Sequence, residues 1–339
     1  MDKHGLLAYN KKIITIKEPT MRFLICLPLC ALLASLAGCA FVNVPLIPPP
    51  SPLEEQVLEG EGTKKILLLD ISGTISEEEK SGGLLGRRAP SMVSLVRESL
   101  QKAEKDPDIT GVILRINSPG GTVTASDIIH HDIVAFKKRR NIPVVACIMA
   151  TGASGGYYVA AAADEIVAHP TAITGSIGVI LMKFNVEGLM GKVGVEQQTV
   201  KSGDKKDIMS PFRRATPEEV KLAQEIIDQL YGRFLDVVMA RPGNTLSRDE
   251  LRTLADGRLY TATQALAGKL IDKIGYLDDV IAGLRRKAGD DKARVVSYYR
   301  PGSYKGSIYA DAGEKGGIME LLGGVDAFSA GSFMYLWRP

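Results

Sequence analysis

Two apolar strands, each released into a glycine-rich turn and then a helix, limit what this chain can fold into more than any other feature. GVILRI (111–116) runs into NSPGG (117–121), and IPVVACIMA (142–150) runs into TGASGGYY (151–158). A helix is expected over 91–105 before the first strand and another over 124–139 between the two. Continuous apolar strands joined by helices mark parallel βαβ units, whose strands are covered on both faces. KKILLLDI (64–71) opens the folded part, and the short strand EIVAHP (165–170) follows the second turn. Ligands of such sheets gather at the carboxyl ends of the strands, where both glycine turns lie.

Beyond residue 206 the chain reads as mostly helical. Thr216-Pro217-Glu218-Glu219 combines a capping threonine, proline at the first helical position and glutamate at the third. That helix should run to about 240, where Arg241-Pro242-Gly243 stops it, with further helices over 247–255, 262–268 and 277–287. A strand over 294–299 precedes a glycine-rich tail, and 77–90 reads as a polar loop. No internal repeat is visible. The fold class is therefore α/β, built of parallel βαβ units with a helical C-terminal part.

The N-terminus carries an address. Phe23 to Val42 is twenty residues without a charge, preceded by Arg22, which suits either an export signal or a membrane span. Its end, Leu36-Ala37-Gly38-Cys39, resembles the lipobox of bacterial lipoproteins, with Cys39 as the lipidated residue; an uncleaved signal anchor is the other reading. Met21, directly before Arg22, is a second candidate start. Residues 39–63, with PLIPPPSPLEEQ at their centre, read as a proline-rich linker. Both readings of the address put the remainder outside the cytoplasm, tethered to a membrane.

Charge and cysteine content exclude several function classes. The chain has 42 Lys and Arg against 39 Asp and Glu; without the five basic and two acidic residues of 1–38, 37 of each remain. A neutral body gives no reason to expect nucleic acid as a partner. Three of four cysteines lie in the targeting stretch, leaving Cys147 inside an apolar strand, so no disulfide framework is expected. HExxH, CxxC and paired carboxylates are all missing from the sequence, so no metal and no cofactor is expected.

The residues that remain for chemistry sit in the turns. Ser154, between Ala153 and Gly155-Gly156, lies where a helix N-terminus aims its amides, although small-residue turns also serve plain packing. Gly120 and Gly121 of NSPGG free backbone amides that suit a developing oxyanion, and Gly155 lets backbone approach a substrate closely. Serine needs a base, and Lys206 in KSGDKKDIM (201–209) is one candidate, an exposed loop lysine being the alternative. A lysine serves as base only when partly desolvated, with its pKa lowered by about 2–3 units. Ser176, in TGSIGVI (174–180), is placed to orient such an amine. His130 and His131 fall within an expected helix and His169 precedes a proline, so none is favoured as the base.

Taken together, NSPGG, TGASGGYYVAAAAD (151–164), TGSIGV, KSGDKKDIMSPFR and GRLYTATQALAGKLIDKIG (257–275) resemble the signal peptide peptidase A family of bacterial Ser–Lys peptidases, in its single-unit short form. The resemblance covers about 64–288 and implies a crotonase-like (Clp-protease-like) fold. It implies Ser154 as nucleophile, Lys206 as general base 52 residues on, Ser176 as the partner of the lysine, and Gly120, Gly121 and the amide of Gly155 as the oxyanion region. It also implies a homo-oligomer whose sites are shared between subunits, acting on cleaved signal peptides or other unfolded peptides, anchored in the bacterial cell envelope. On that basis the chain divides into a signal segment 1–38, Cys39 with the linker over 39–63, a peptidase domain 64–288, and a strand with a tail over 289–339. The tail, FSAGSFMYLWRP (328–339), is expected in the groove of its own or a neighbouring subunit, or as a cover on the core. A silent scaffold for a membrane protease and a crotonase-fold acyl-CoA enzyme are the competing functions.

Overall fold

A computed structural model of the chain describes residues 51–79, 90–300, 307–309 and 333–337. The signal segment, Cys39 and most of the polar 77–90 loop lie outside the described residues.

The elements alternate as expected. In chain order they begin with β1 (Glu54–Glu59), β2 (Lys65–Ser72), α1 (Met92–Glu104) and β3 (Ile109–Ser118). A short β4 (Gly120–Thr122) leads directly into α2 (Val123–Arg140), then β5 (Val144–Ala153) and α3 (Gly155–Ala160). Next come β6 (Glu165–Ala168), β7 (Ile173–Gly175), β8 (Ile180–Leu181) and α4 (Glu187–Lys192). The C-terminal half holds α5 (Pro217–Met239), α6 (Arg248–Leu254), β9 (Leu259–Thr261) and α7 (Ala262–Ala267). It closes with β10 (Lys273–Ile274), α8 (Leu277–Ala288), β11 (Arg294–Tyr299) and β12 (Phe333–Leu336).

Among the described residues the main sheet has nine strands, ordered β1-β11-β2-β3-β5-β6-β10, with β7 and β9 branching from β5. Every pairing from β11 to β10 is parallel; β1 on β11 and β9 on β7 are antiparallel. Alternate residues of one strand enter opposite cores, which is why the strands read as unbroken apolar runs. Leu67, Leu69 and Ile71 pack with Val96 of α1 and Ile129, Ile133 and Phe136 of α2. Ile66 and Leu68 pack with Leu277, Ile281 and Leu284 of α8 on the other face. Each such side chain, fully removed from water, stabilises the fold by about 1.5–3 kcal/mol.

The helix ends follow from local chemistry. Thr216 and Glu219 form a reciprocal capping box at the start of α5, with Pro217 inside it. Thr122 caps α2 by accepting the Ala125 N–H at 3.2 Å. At the other end of α2, Arg140 donates to the carbonyls of Ala103 and Glu104, which close α1.

Two expectations change. Glu54–Glu59, placed in the linker by its neighbouring prolines, is an edge strand of the sheet, held by β11. Its partner lies far along the chain, so no local pattern marks it. NSPGG is more than a turn: Gly120–Thr122 is a strand in a second, three-stranded sheet ordered β4-β12-β8.

Candidate active site

The long strand β5 gathers the site. Its first part, Val145–Ile148, lies against β6, and its last part, Thr151–Ala153, lies against β7. On its other side Ser118 at the end of β3 stands opposite Gly152. Three strand ends therefore meet, carrying NSPGG, the Ser154 turn and Gly175-Ser176. Ser154, Ser176, Gly120, Gly121 and Gly155 are brought together from a span of 57 residues in sequence.

Ser154 occupies a rare conformation, φ 53° and ψ −116°, as the residue between β5 and α3. Side chains other than glycine rarely adopt it, and holding one there costs roughly 1–3 kcal/mol. The surroundings impose it. The Ser154 N–H donates to the Gly175 carbonyl at 2.7 Å, and the Ser154 carbonyl accepts from Tyr158 N–H at 2.9 Å. The side chain caps no helix amide, so the hydroxyl is not tied up in holding α3. Ser176 also has positive φ, 48°, and its N–H is held by the Arg258 carbonyl at 2.8 Å. Both serines are almost fully buried.

The glycines permit close backbone approach. A Cβ on Gly120, whose φ is +105°, would lie 2.0 Å from the Tyr335 carbonyl oxygen and 2.7 Å from the Gly155 nitrogen. A Cβ on Gly121 would lie 1.8 Å from the Ile75 carbonyl oxygen. The Gly120 N–H is already taken up by Ser118 Oγ at 3.0 Å. Of the three glycines expected to serve an oxyanion, Gly120 thus has its amide committed and contributes shape, while Gly121 faces β12 as the ladder partner of Tyr335.

The groove beside these glycines is filled by the chain itself. β12 runs antiparallel between β4 and β8, with Tyr335 opposite Gly121 and Met334 opposite both Thr122 and Ile180. The Trp337 N–H continues the ladder to the Pro119 carbonyl at 2.9 Å. The tail therefore lies as an extended peptide across the strand ends that carry Ser154.

Lys206 lies on the exposed segment between α4 and α5. It is exposed, and its amine makes no hydrogen bond or ion pair among the described residues. Two neighbouring lysines are engaged: Lys201 pairs with Asp207 at 2.7 Å and Lys205 with Glu218. Arg213 clamps the segment to α5, donating to Asp207 at 2.8 Å and to Glu219 at 2.5 Å. Its guanidinium holds both carboxyls below the usual carboxylate range, Glu219 at about 2. Among the described residues no hydrogen bond joins Lys206 to Ser154 or Ser176 within one chain.

Sequence reasoning missed the aromatic wall of the groove. Tyr158 is fully buried, its ring edge-on to Phe234 at 4.9 Å, and its hydroxyl donates to Asp127 at 2.5 Å. Burial, then that bond, pushes the phenol far above its ordinary range. Arg233 adds a 2.9 Å contact to the same carboxylate, and His130 stacks edge-on at 5.4 Å. The one sequence signal was spacing: Phe234 and Leu230 lie four apart, on one face of α5.

Comparison with known proteins gives the family. The model of peptidase family S49 matches residues 136–290, a span holding Ser154, Ser176 and Lys206. An Enterococcus faecium protein named "Putative signal peptide peptidase SppA" is 38% identical over 72% of this chain and 70% of its own length. "Serine protease SPPA, chloroplastic" of Arabidopsis thaliana is 30% identical over 74% of this chain and 37% of its own. Among solved structures, a point mutant of ClpP1 from Listeria monocytogenes superposes with a TM-score of 0.40 at 18% identity, over 64% of this chain and 94% of that one. With its serine turn inside the matched span and its likeness to these relatives extending along more than two thirds of its length, the chain belongs to peptidase family S49 and is a serine protease.

Proposed function

We propose that this protein is a membrane-tethered endopeptidase that hydrolyses cleaved signal peptides and other unfolded peptides in the bacterial cell envelope. The observation that carries this reading is the peptide-like course of β12 past Ser154. An extended substrate, added as a strand between β4 and β8, gains backbone pairing on both edges without regard to its sequence. A folded protein has no free extended segment to offer. Tethering rests on the uncharged stretch 23–42 and the Cys39 lipobox.

In this reading Ser154 Oγ attacks the carbonyl carbon of the bound strand, and neutral Lys206 takes the hydroxyl proton. The N–H groups of Gly121 and Gly155 receive the charge that develops on the carbonyl oxygen. As the tetrahedral intermediate collapses, the lysine gives its proton to the departing amine, and water then releases the acyl group from Ser154 by the same route. Ser176 accepts or donates a hydrogen bond to orient the amine.

Lys206 reaches this site from a neighbouring copy. The segment that bears it displays Phe184, Leu189, Val193 and Val200, which are 52%, 62%, 65% and 101% exposed. Apolar surface of that extent is covered by a partner, and cover of this segment would supply the desolvation a lysine base needs. The test is complementation. Ser154→Ala and Lys206→Ala are prepared separately, then dissociated, mixed and reassembled. Activity on an apolar leader-like peptide should be absent from each and restored in the mixture. An active Lys206→Ala protein, or a mixture that stays inactive while assembled, would overturn the shared Ser–Lys site.

A further inference from the structure

Ser118, the last residue of β3, is 0% exposed, and its one hydroxyl joins two loops. Oγ donates to the Gly73 carbonyl at 2.7 Å and accepts the Gly120 N–H at 3.0 Å. Gly73 opens a short strap, 73–75, by which the chain leaves β2, and Gly120 opens β4. The strap then runs along β4. The Ile75 N–H donates to the Gly120 carbonyl at 2.9 Å, and the Thr122 N–H donates to the Ile75 carbonyl at 3.0 Å. In a parallel bridge of this kind, the residue between the two bonded groups turns its own N–H and C=O to the opposite edge. That residue is Gly121, so its amide is aimed away from the strap and into the groove.

Ser118 is tied to the serine turn by its backbone. It stands opposite Gly152 of β5, and a Cβ on Gly156 would lie 2.7 Å from its carbonyl oxygen. Asn117, one residue earlier, accepts the Thr151 N–H at 3.2 Å. The backbone of this segment thus belongs to the strand that presents Ser154, while the Ser118 side chain holds the glycine loop to the strap. Gly120, at φ +105°, has many other conformations open to it. Without Oγ its buried N–H has no partner, and the peptide gains by turning toward another acceptor, carrying Gly121 with it.

We propose that Ser118 is a positioning residue for the reaction: its hydroxyl withdraws the Gly120 amide and so fixes the direction of the Gly121 amide at the carbonyl that Ser154 attacks. This rests on the peptidase reading above and adds a residue which that reading does not use. Fully buried, Ser118 acts through Gly120 and not on the peptide. A peptide strand paired with β4 and β8 keeps most of its backbone bonds when Ser118 is changed, so binding should change little. The charge developing on the carbonyl oxygen loses a well-aimed donor, so kcat should fall about ten- to a hundredfold.

The test uses assembled full-length protein, parent and Ser118→Ala, each measured below its Tm. kcat and KM are read on an apolar leader-like peptide. Binding is read for a peptide of the same sequence ending in an aldehyde and for its matching alcohol. Ser154 Oγ adds to the aldehyde carbon, the hydroxyl proton passes to the base, and the former carbonyl oxygen takes the charge; the alcohol can do none of this. Ser118→Ala should lower kcat and aldehyde affinity by the same factor, about ten- to a hundredfold, and leave KM and alcohol affinity within about twofold. Should the alanine protein fail to assemble, Ser118→Cys, which keeps a weak S–H at this position, is read in the same way with a smaller drop. Aldehyde and alcohol weakened alike, or an unchanged kcat, would overturn the role of Ser118 alone, provided the parent prefers the aldehyde. A parent that binds aldehyde and alcohol alike and cuts no peptide would overturn the peptidase reading, and this role with it.

Discussion

Ser154 offers a direct test of whether the fold forces its nucleophile into place, through the contrast between Ser154→Gly and Ser154→Ala. Both variants remove the hydroxyl, so both should be inactive, and the difference between them isolates the backbone. At an ordinary position glycine is the less stable choice by about 0.5–1 kcal/mol, because it adds freedom to the unfolded chain. At φ 53° and ψ −116° the ordering should invert. A Cβ there costs roughly 1–3 kcal/mol, which glycine removes. Setting the smaller cost against the larger leaves Ser154→Gly ahead by about 1 kcal/mol. For a domain of this size that is about 2–4 °C in Tm, within reach of scanning calorimetry on the two full-length proteins side by side. The mutual support is specific: the Gly175 carbonyl holds the Ser154 N–H at 2.7 Å, so β7 imposes the conformation on β5. An alanine variant that melts at or above the glycine variant would refute the imposed turn. Retained peptidase activity in either would remove Ser154 from the role of nucleophile.

Gly120→Ala should lower Tm, because alanine at φ +105° is strained and its Cβ would lie 2.7 Å from the Gly155 nitrogen, and should lower kcat/KM for short peptides by about a hundredfold or more, because that Cβ would lie 2.0 Å from the position now held by the Tyr335 carbonyl oxygen; steady-state kinetics below the lowered Tm checks this, and an unchanged kcat/KM would displace the groove. Arg213→Met should lower activity about tenfold or more by loosening the segment that carries Lys206, and Arg213→Lys should fail to restore it, since only a planar fork spans Asp207 and Glu219 together; the comparison is made on assembled protein. His130 is held neutral mainly by burial, its pKa lowered to about 4, with Asp127 opposing and Arg233, His131 and Lys137 reinforcing the shift. Between about pH 6.5 and 4 the unfolded chain takes up a proton that the folded chain refuses, so stability should fall as pH drops through that window, by up to roughly 3 kcal/mol. Urea unfolding of wild type and His130→Gln across pH 7 to 4 should show a shallower decline in the variant, and equal declines would refute it.

The parts legible from sequence were those whose causes are local. β3 and β5 are apolar on both faces because each face meets helices, so continuous runs marked them without ambiguity. Thr216, Pro217 and Glu219 announce α5 through bonds made within four residues. The serine turn was visible as TGASGG, yet its strain was not, since that comes from Gly175, twenty-one residues away. β1 was hidden for the same reason, its partner being β11 at the far end of the described body. The aromatic pocket needed Tyr158, Phe234 and Tyr335 to be placed from three separate elements.

The glycines, the tail and the lysine act on one another. A strand edge made of Gly120 and Gly121 can pair with any extended backbone, because no side chain stands in the way. The chain's own tail exploits that openness, which means the groove alone cannot protect the cell from indiscriminate cleavage. Discrimination must therefore come from elements other than the edge. The proposed supply of Lys206 by a neighbouring copy would provide one, since a chain without its neighbour would hold a peptide against Ser154 with no base to start the reaction. A tail that binds in register without being cut is what such a division predicts for the isolated chain. In the proposed assembly the same contact should become a self-processing event or be displaced by substrate, and mass measurement of the C-terminus in dissociated and assembled protein distinguishes a tail that persists from one that is removed.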